Sequence, residues 1–129
     1  MKYIVVVGRI LYAALFVPPL WGHFKAGTIA YAASKGVLFA SFLVPASGII
    51  SFLGAVSIIL GYRARWGAWL LVIFLIPVTL AMHNFWAITD PMAAQMQYLM
   101  FMKNLSMLGA ALLIAYFGSG PLSLDNNRR

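Results

Sequence analysis

"WGAWLLVIFLIPVTLAMHNFWAITDP" runs from Trp66 to Pro91, and its first two thirds decide the fold. No charged residue stands between Trp66 and Met82. About 20 mostly apolar residues in a helix cross the roughly 30 Å hydrocarbon layer of a bilayer. In lipid, backbone hydrogen bonds must close within the segment, so a run of this kind is a membrane-spanning helix and not an isolated strand. The last third turns polar at His83 and Asn84, adds Phe85 and Trp86, and ends on Asp90-Pro91. That change marks the place where the helix meets water.

Working outward from this run, three more stretches have the same character. The expected spans are 3–24, 37–61, 66–85 and 98–117, which leave no room for a soluble domain. The fold class is therefore all-α: a single integral membrane domain over residues 1–129, built as a four-helix bundle. Composition agrees, with 64% hydrophobic and 9% charged residues among 129. A soluble domain of that size needs a far more polar surface. The N-terminal run opens like a signal peptide, but Arg9 interrupts it and no small-x-small cleavage site follows, so it is expected to remain as the first span.

Nine basic residues against two acids give a net charge of +7. In a soluble chain this balance would suggest nucleic acid. Here the basic residues stand singly between apolar runs, so nucleic acid is excluded as a partner, and they read as topology signals and lipid-headgroup contacts. Lys2, Arg63, Arg65, Arg128 and Arg129 fall on the side of the termini and the second connection; the third connection carries Asp90 and no basic residue. Both termini are thus expected in the cytoplasm. Tyr62 and Trp66 then mark the inner interface, and Trp21, Tyr31, Trp86 and Tyr98 the outer one. Cysteine is absent, which removes disulfides, thiolate metal sites and dithiol relays.

The connections have signatures of their own. "KAGTIAYAASKG" (25–36) suits a short helix lying on the outer surface. In "TDPMAAQMQ" (89–97), Asp90 reads as an N-cap and Pro91 as the first helical residue. "FGSGPLS" (117–123) stops the fourth helix with glycine followed by proline. Pro18-Pro19, Pro45 and Pro77 lie inside spans, where each removes a backbone hydrogen bond and favours a kink. Ser47, Ser51 and Ala55 recur every fourth residue and suit close helix contact.

Most of the polarity at membrane depth gathers near the outer surface. His23 ends the first span and His83 the third, and both emerge on that side. The fourth span re-enters there with Gln95, Gln97, Lys103 and Asn104. A charge inside hydrocarbon costs about 2.5–3.5 kcal/mol on insertion scales. Lys103 therefore needs a partner, a wet cavity or an outward route to water. The expectation is one inward-facing pocket shared by His83, Asn84, Lys103 and Asn104, with Trp86 close by and His23 at its edge. Three ligands fit such a site. A quinone carbonyl could meet a neutral imidazole beside Lys103. Haem could take the two histidines, although they lie near helix ends. Cu(I) could combine histidine with the stripe Met92, Met96 and Met100, although methionine is also a common gap-filler. No set of acids forms a di-iron site, since there is no glutamate and the two aspartates lie on opposite sides. Arg9 sits in the first span, where it either reaches the cytoplasmic surface along its own stem or pairs with Asp125, the one acid on that side.

"GRILYAALFVPPLWGHFKAG" (8–27), "GYRARWGAWLLVIFLIPVTLAMHNFW" (61–86) and "FMKNLSMLGAALLIAYFGSGPLSLD" (101–125) resemble the DoxX family of small bacterial membrane proteins. The segments that carry the resemblance hold His83, Asn84, Phe85, Trp86, Lys103 and Asn104, and the tail Gly118, Gly120, Ser123 and Asp125. The resemblance implies a four-helix protein of the bacterial cytoplasmic membrane. The family name derives from a subunit of a thiosulfate:quinone oxidoreductase, but most members have no assigned reaction, so the name is not read as an activity; the first reading is a quinone- or lipid-facing subunit of a redox or stress system with a soluble redox partner. Relatives carry a glutamate in the second span where Ser51 stands here, so a proton relay through that acid is absent. The other reading is a non-enzymatic membrane scaffold or binding protein that recruits lipids, partners or a second copy of itself.

Overall fold

The computed structural model describes residues 1–126; Arg128 and Arg129, counted above among the inner basic residues, lie outside the described residues. The chain forms α1 (Lys2–Ala14), α2 (Pro19–Gly22), α3 (Ala26–Ser34), α4 (Ala40–Leu60), α5 (Ala64–Met82) and α6 (Pro91–Phe117), with a 3-10 turn at Phe85–Ala87 between the last two. No strand occurs among the described residues. Four segments are long and apolar enough to cross a membrane: Lys2–Gly22, Ala40–Leu60, Ala64–Ala87 and Pro91–Phe117. α5 lies between α4 and α6, and α1, α2 and α3 all rest on α4.

Each helix boundary that departs from the expected span has a local cause. The first span is broken after Ala14 and resumes as α2 at Pro19. Pro18 and Pro19 have no N–H to offer the carbonyls of Ala14 and Leu15, so the chain passes through tight turns, with Phe16 N–H on Ala13 O at 3.0 Å. α4 starts at Ala40 rather than at 37 because Phe39 is left-handed, with φ 54°. α5 starts at Ala64, earlier than expected, because Asp125 caps it from the distant tail. It also ends earlier, at Met82, where His83 leaves the helical region with φ −121° and ψ 43°. α6 opens as the Asp-Pro signature requires: Asp90 accepts a hydrogen bond from Ala93 N–H at 3.0 Å, and Pro91 is the first residue. Its 27 residues reach about 40 Å at 1.5 Å per residue, longer than the hydrocarbon is thick.

The interior is built from small residues. Ala13, Ala55, Ala64, Ala68 and Ala111 are all 0% exposed, together with Ile58 and Leu71. The large side chains point the other way, with Phe42 72%, Leu113 60% and Trp66 74% exposed. In water this arrangement would leave the hydrophobic effect unused. In lipid it is the expected one, because apolar tails solvate large side chains and helices associate by close backbone approach. One close backbone approach, between α4 and α5, joins Gly54 and Gly67. A Cβ on Gly54 would stand 2.7 Å from the carbonyl oxygen of Gly67, and one on Gly67 would stand 2.9 Å from that of Gly54. Ser51 and Ala55 are buried as their spacing suggests, but the contact itself is made by the glycines.

Candidate functional site

The end of α5 is held by side chains from two other elements. Nδ1 of His83 lies 2.7 Å from Oε1 of Gln97 on α6. Since the amide oxygen only accepts, Nδ1 is the donor in this contact. Asn84 Oδ1 accepts from Lys35 Nζ at 3.4 Å, and the same ammonium stands over the Tyr31 ring at 5.6 Å. Asn84 is thereby tied to the end of α3. Phe85 then packs edge-on against Tyr98 and Phe101, with centroids 5.1 and 5.3 Å away, and Trp86 meets Phe101 at 5.9 Å. These contacts fix the 3-10 turn on α6 and leave Trp86 largely exposed at the interface.

A cavity of about 250 Å³ lies between the spans. Its polar wall is made by His83, Lys103, Asn104 and Ser51, and its apolar wall includes Leu15, Phe16, Phe74, Leu75, Val78 and Met107. α4, α5 and α6 all contribute, and the first span enters the lining only through the break between α1 and α2, at Leu15, Phe16 and Pro19. The polar groups differ in how they are satisfied. Ser51 donates to Gly48 O at 3.0 Å. Asn104 is buried, yet its side chain makes no hydrogen bond among the described residues; Lys103, whose ammonium also makes none, is exposed. Asn84 and Trp86 do not line this cavity.

His23 is elsewhere. Its ring sits beside Phe74 at 5.9 Å and over Gly48, where a Cβ would overlap it. Its Nδ1 is buried and has no hydrogen-bond partner among the described residues. Phe74 both meets the His23 ring and lines the cavity, which His23 itself does not line. The two histidines are not brought to one opening, which leaves haem without its pair of axial ligands in a shared space. Met92 and Met96 are exposed and none of the three stripe methionines lines the cavity, so the copper set is not assembled either.

At the other end of the bundle the tail folds back. Arg9 does not run out to the surface: it is 5% exposed, and its guanidinium donates to Ser119 O and Leu122 O, both at 2.8 Å. The Asp125 charge acts on it. The carboxylate itself accepts from Arg63 N–H at 2.7 Å, Ala64 N–H at 3.1 Å and Ser119 Oγ at 3.2 Å. Leu124 and Asp125 in turn donate their own N–H groups to Leu60 O and Gly61 O at 3.2 and 2.7 Å. The tail thus caps the end of α4 and the start of α5 at once, and Arg9 ties it to α1. Nothing in the spacing of Ser119 or Leu122 announces this; the only signal is a lone arginine in an apolar helix.

Residues 2–129 match the SURF4 family. The chain is 35% identical over 124 residues to inner membrane protein YqjF of Escherichia coli strain K12, covering 94% of this chain and 88% of that protein. It is 29% identical over 126 residues to inner membrane protein YphA of the same organism, covering 95% and 88%. A shorter likeness, 25% over 81 residues, reaches the ER-derived vesicles protein ERV29 of Saccharomyces cerevisiae and covers 63% of this chain and 26% of that protein. No solved structure matches the chain. The resemblance to DoxX is corrected by the family match, which runs through all three segments that carried it, and the redox role it implied loses its basis. With four candidate spans and inner membrane relatives, this is a multi-pass inner membrane protein, and it belongs to the SURF4 family.

Proposed function

We propose that the chain is a non-enzymatic binding protein of the membrane, and that the cavity between its four spans holds an amphipathic molecule by an acceptor-rich head. The observation that carries this reading is the pairing of Lys103 with Asn104. Both offer donors at the cavity, and neither is satisfied from within the described residues. The Asn104 amide opens onto the cavity, where a carboxylate, phosphate or carbonyl would supply the partner that the described residues do not. His83 adds its ring to the polar wall, held there by the contact of Nδ1 with Gln97. The remaining wall is apolar and suits a hydrocarbon or ring body. The relatives' names describe no reaction, and the redox partner rested on the corrected resemblance.

The test is native mass spectrometry of protein extracted with its surrounding lipid in polymer discs. The wild type is expected to retain one amphiphile near one-to-one. Lys103→Met and Asn104→Leu are expected to lose it while circular dichroism shows the same helix content. A wild type that carries only bulk lipid, or variants that retain the same molecule, would overturn the reading.

A further inference from the structure

A second cavity lies at the opposite end of α5, and it has a different chemistry. Its volume is about 370 Å³, and it opens between the start of α5 and the end of α6. Arg63, Arg65 and Asp125 supply its charges, and Trp66, Phe117 and Gly118 form much of its frame. The carboxylate is already committed to two backbone N–H groups and the Ser119 hydroxyl. The cations are not committed in the same way. Arg63 stands over the Tyr62 ring at 5.7 Å, a contact that leaves its N–H groups available. Arg65 makes no hydrogen bond or ion pair among the described residues. Its guanidinium lies across Gly118, where a Cβ would come within 3.1 Å of Nε. Gly118 therefore provides both the positive φ of 83° that ends α6 and the space in which Arg65 rests.

Two arginines line one hollow beside the start of α5, whose first N–H groups Asp125 already caps, and their forked guanidinium groups form a receptor for a tetrahedral oxyanion. The frame indicates where that anion comes from. Trp66 is 74% and Phe117 70% exposed; both sit at helix ends, at the level where aromatic side chains meet the membrane interface. A headgroup seated on the arginines would have its acyl chains beside these rings. We infer that Arg63 and Arg65 form a binding site for a phosphate group, presented by an anionic phospholipid in the leaflet next to the chain termini. This site is separate from the cavity at Lys103, and its occupation does not depend on that one.

The experiment compares discs of phosphatidylcholine alone with discs that also contain phosphatidylglycerol, and reads lipid adducts by native mass spectrometry. The wild type is expected to retain phosphatidylglycerol preferentially. A basic residue near an anionic leaflet contributes about fivefold in affinity, so Arg65→Gln and Arg63→Gln should each weaken retention by about that factor. Arg65→Lys should fall between, because it keeps the charge and loses the fork. Lys25→Gln, at the far end of the bundle, should change nothing. Titration of detergent-solubilised protein with inorganic phosphate separates the sources: competition by phosphate at millimolar concentration, without lipid preference, would assign the site to a soluble phosphate compound. Equal retention of both lipids together with no response to phosphate would overturn the proposal. So would a phosphatidylglycerol preference that survives the double change to glutamine with the helix content intact.

Discussion

Arg9 lies within the first span, and its two hydrogen bonds to Ser119 O and Leu122 O decide what a substitution there does. A snorkelling arginine would tolerate lysine, since both reach water equally well. A guanidinium that bridges two carbonyls does not, because lysine is a point charge and cannot reproduce the fork. Arg9→Lys should therefore destabilise the protein by about 1 kcal/mol, and Arg9→Met, which leaves both carbonyls unpaired, by about 3 kcal/mol. Unfolding in mixed micelles with increasing SDS, followed by circular dichroism, measures both. Lysine behaving as the wild type would show that the tail contact contributes nothing. Gly48 is a second residue with a sharp prediction. A Cβ there would overlap the His23 ring, so Gly48→Ala should cost about 1–3 kcal/mol as His23 is forced aside. The double change Gly48→Ala with His23→Ala should recover most of the loss in the same assay. None of this could be read from the positions of Arg9 and His23 in the sequence, since their partners are backbone atoms and a glycine at distances of tens of residues.

Among the elements, the α4–α5 pair is fixed at two points. One is the glycine contact. Gly67→Ala would place a Cβ within 2.9 Å of Gly54 O and against the Ser57 side chain. It should lower stability by about 2 kcal/mol, measurable as a shift of the thermal transition in detergent. Gly109→Ala is the control, with nothing near its Cβ. The other point is the cap supplied by Asp125 to Arg63 and Ala64. Asp125→Ala should cost about 1–2 kcal/mol, as loss of an N-cap does, and Asp125→Asn less, because it keeps one acceptor. If Asp125→Ala leaves the same transition unmoved, the tail is not a cap in the membrane. Sequence reading finds the Asp90 cap and fails to find this one for a simple reason. Asp90 acts on N–H groups three residues away, whereas Asp125 acts on groups 61 and 62 residues back in the chain.

For the whole molecule, the prediction with the widest consequence concerns which end faces the cytoplasm. The excess of basic residues predicts that both termini do. Single cysteines at Ala30 and Ala93 should react with an impermeant thiol reagent in intact cells, and one at Asn126 should react only after lysis. All three positions are exposed, so a negative result cannot come from burial; Ser123, at 3% exposure, would not serve. The reverse pattern would put the Lys103 cavity at the inner leaflet and the arginine cavity at the outer one. Composition and the lengths of four long apolar runs by themselves determined that this chain is a helical membrane protein. The reason is that a bilayer penalises every unpaired backbone group and every charge, so the pattern admits few other outcomes. Local signatures also fixed the start of α6 and the break near Pro18-Pro19, because capping and the missing proline N–H act within one helical turn. Tertiary structure alone decided which polar residues meet. It brought His83, Lys103 and Asn104 to one cavity, sent Asn84 to Lys35, left His23 behind Phe74, and closed the tail over Arg9. Helix rotation and tail path govern those meetings, and spans that are apolar on nearly every face carry little periodic signal to set them.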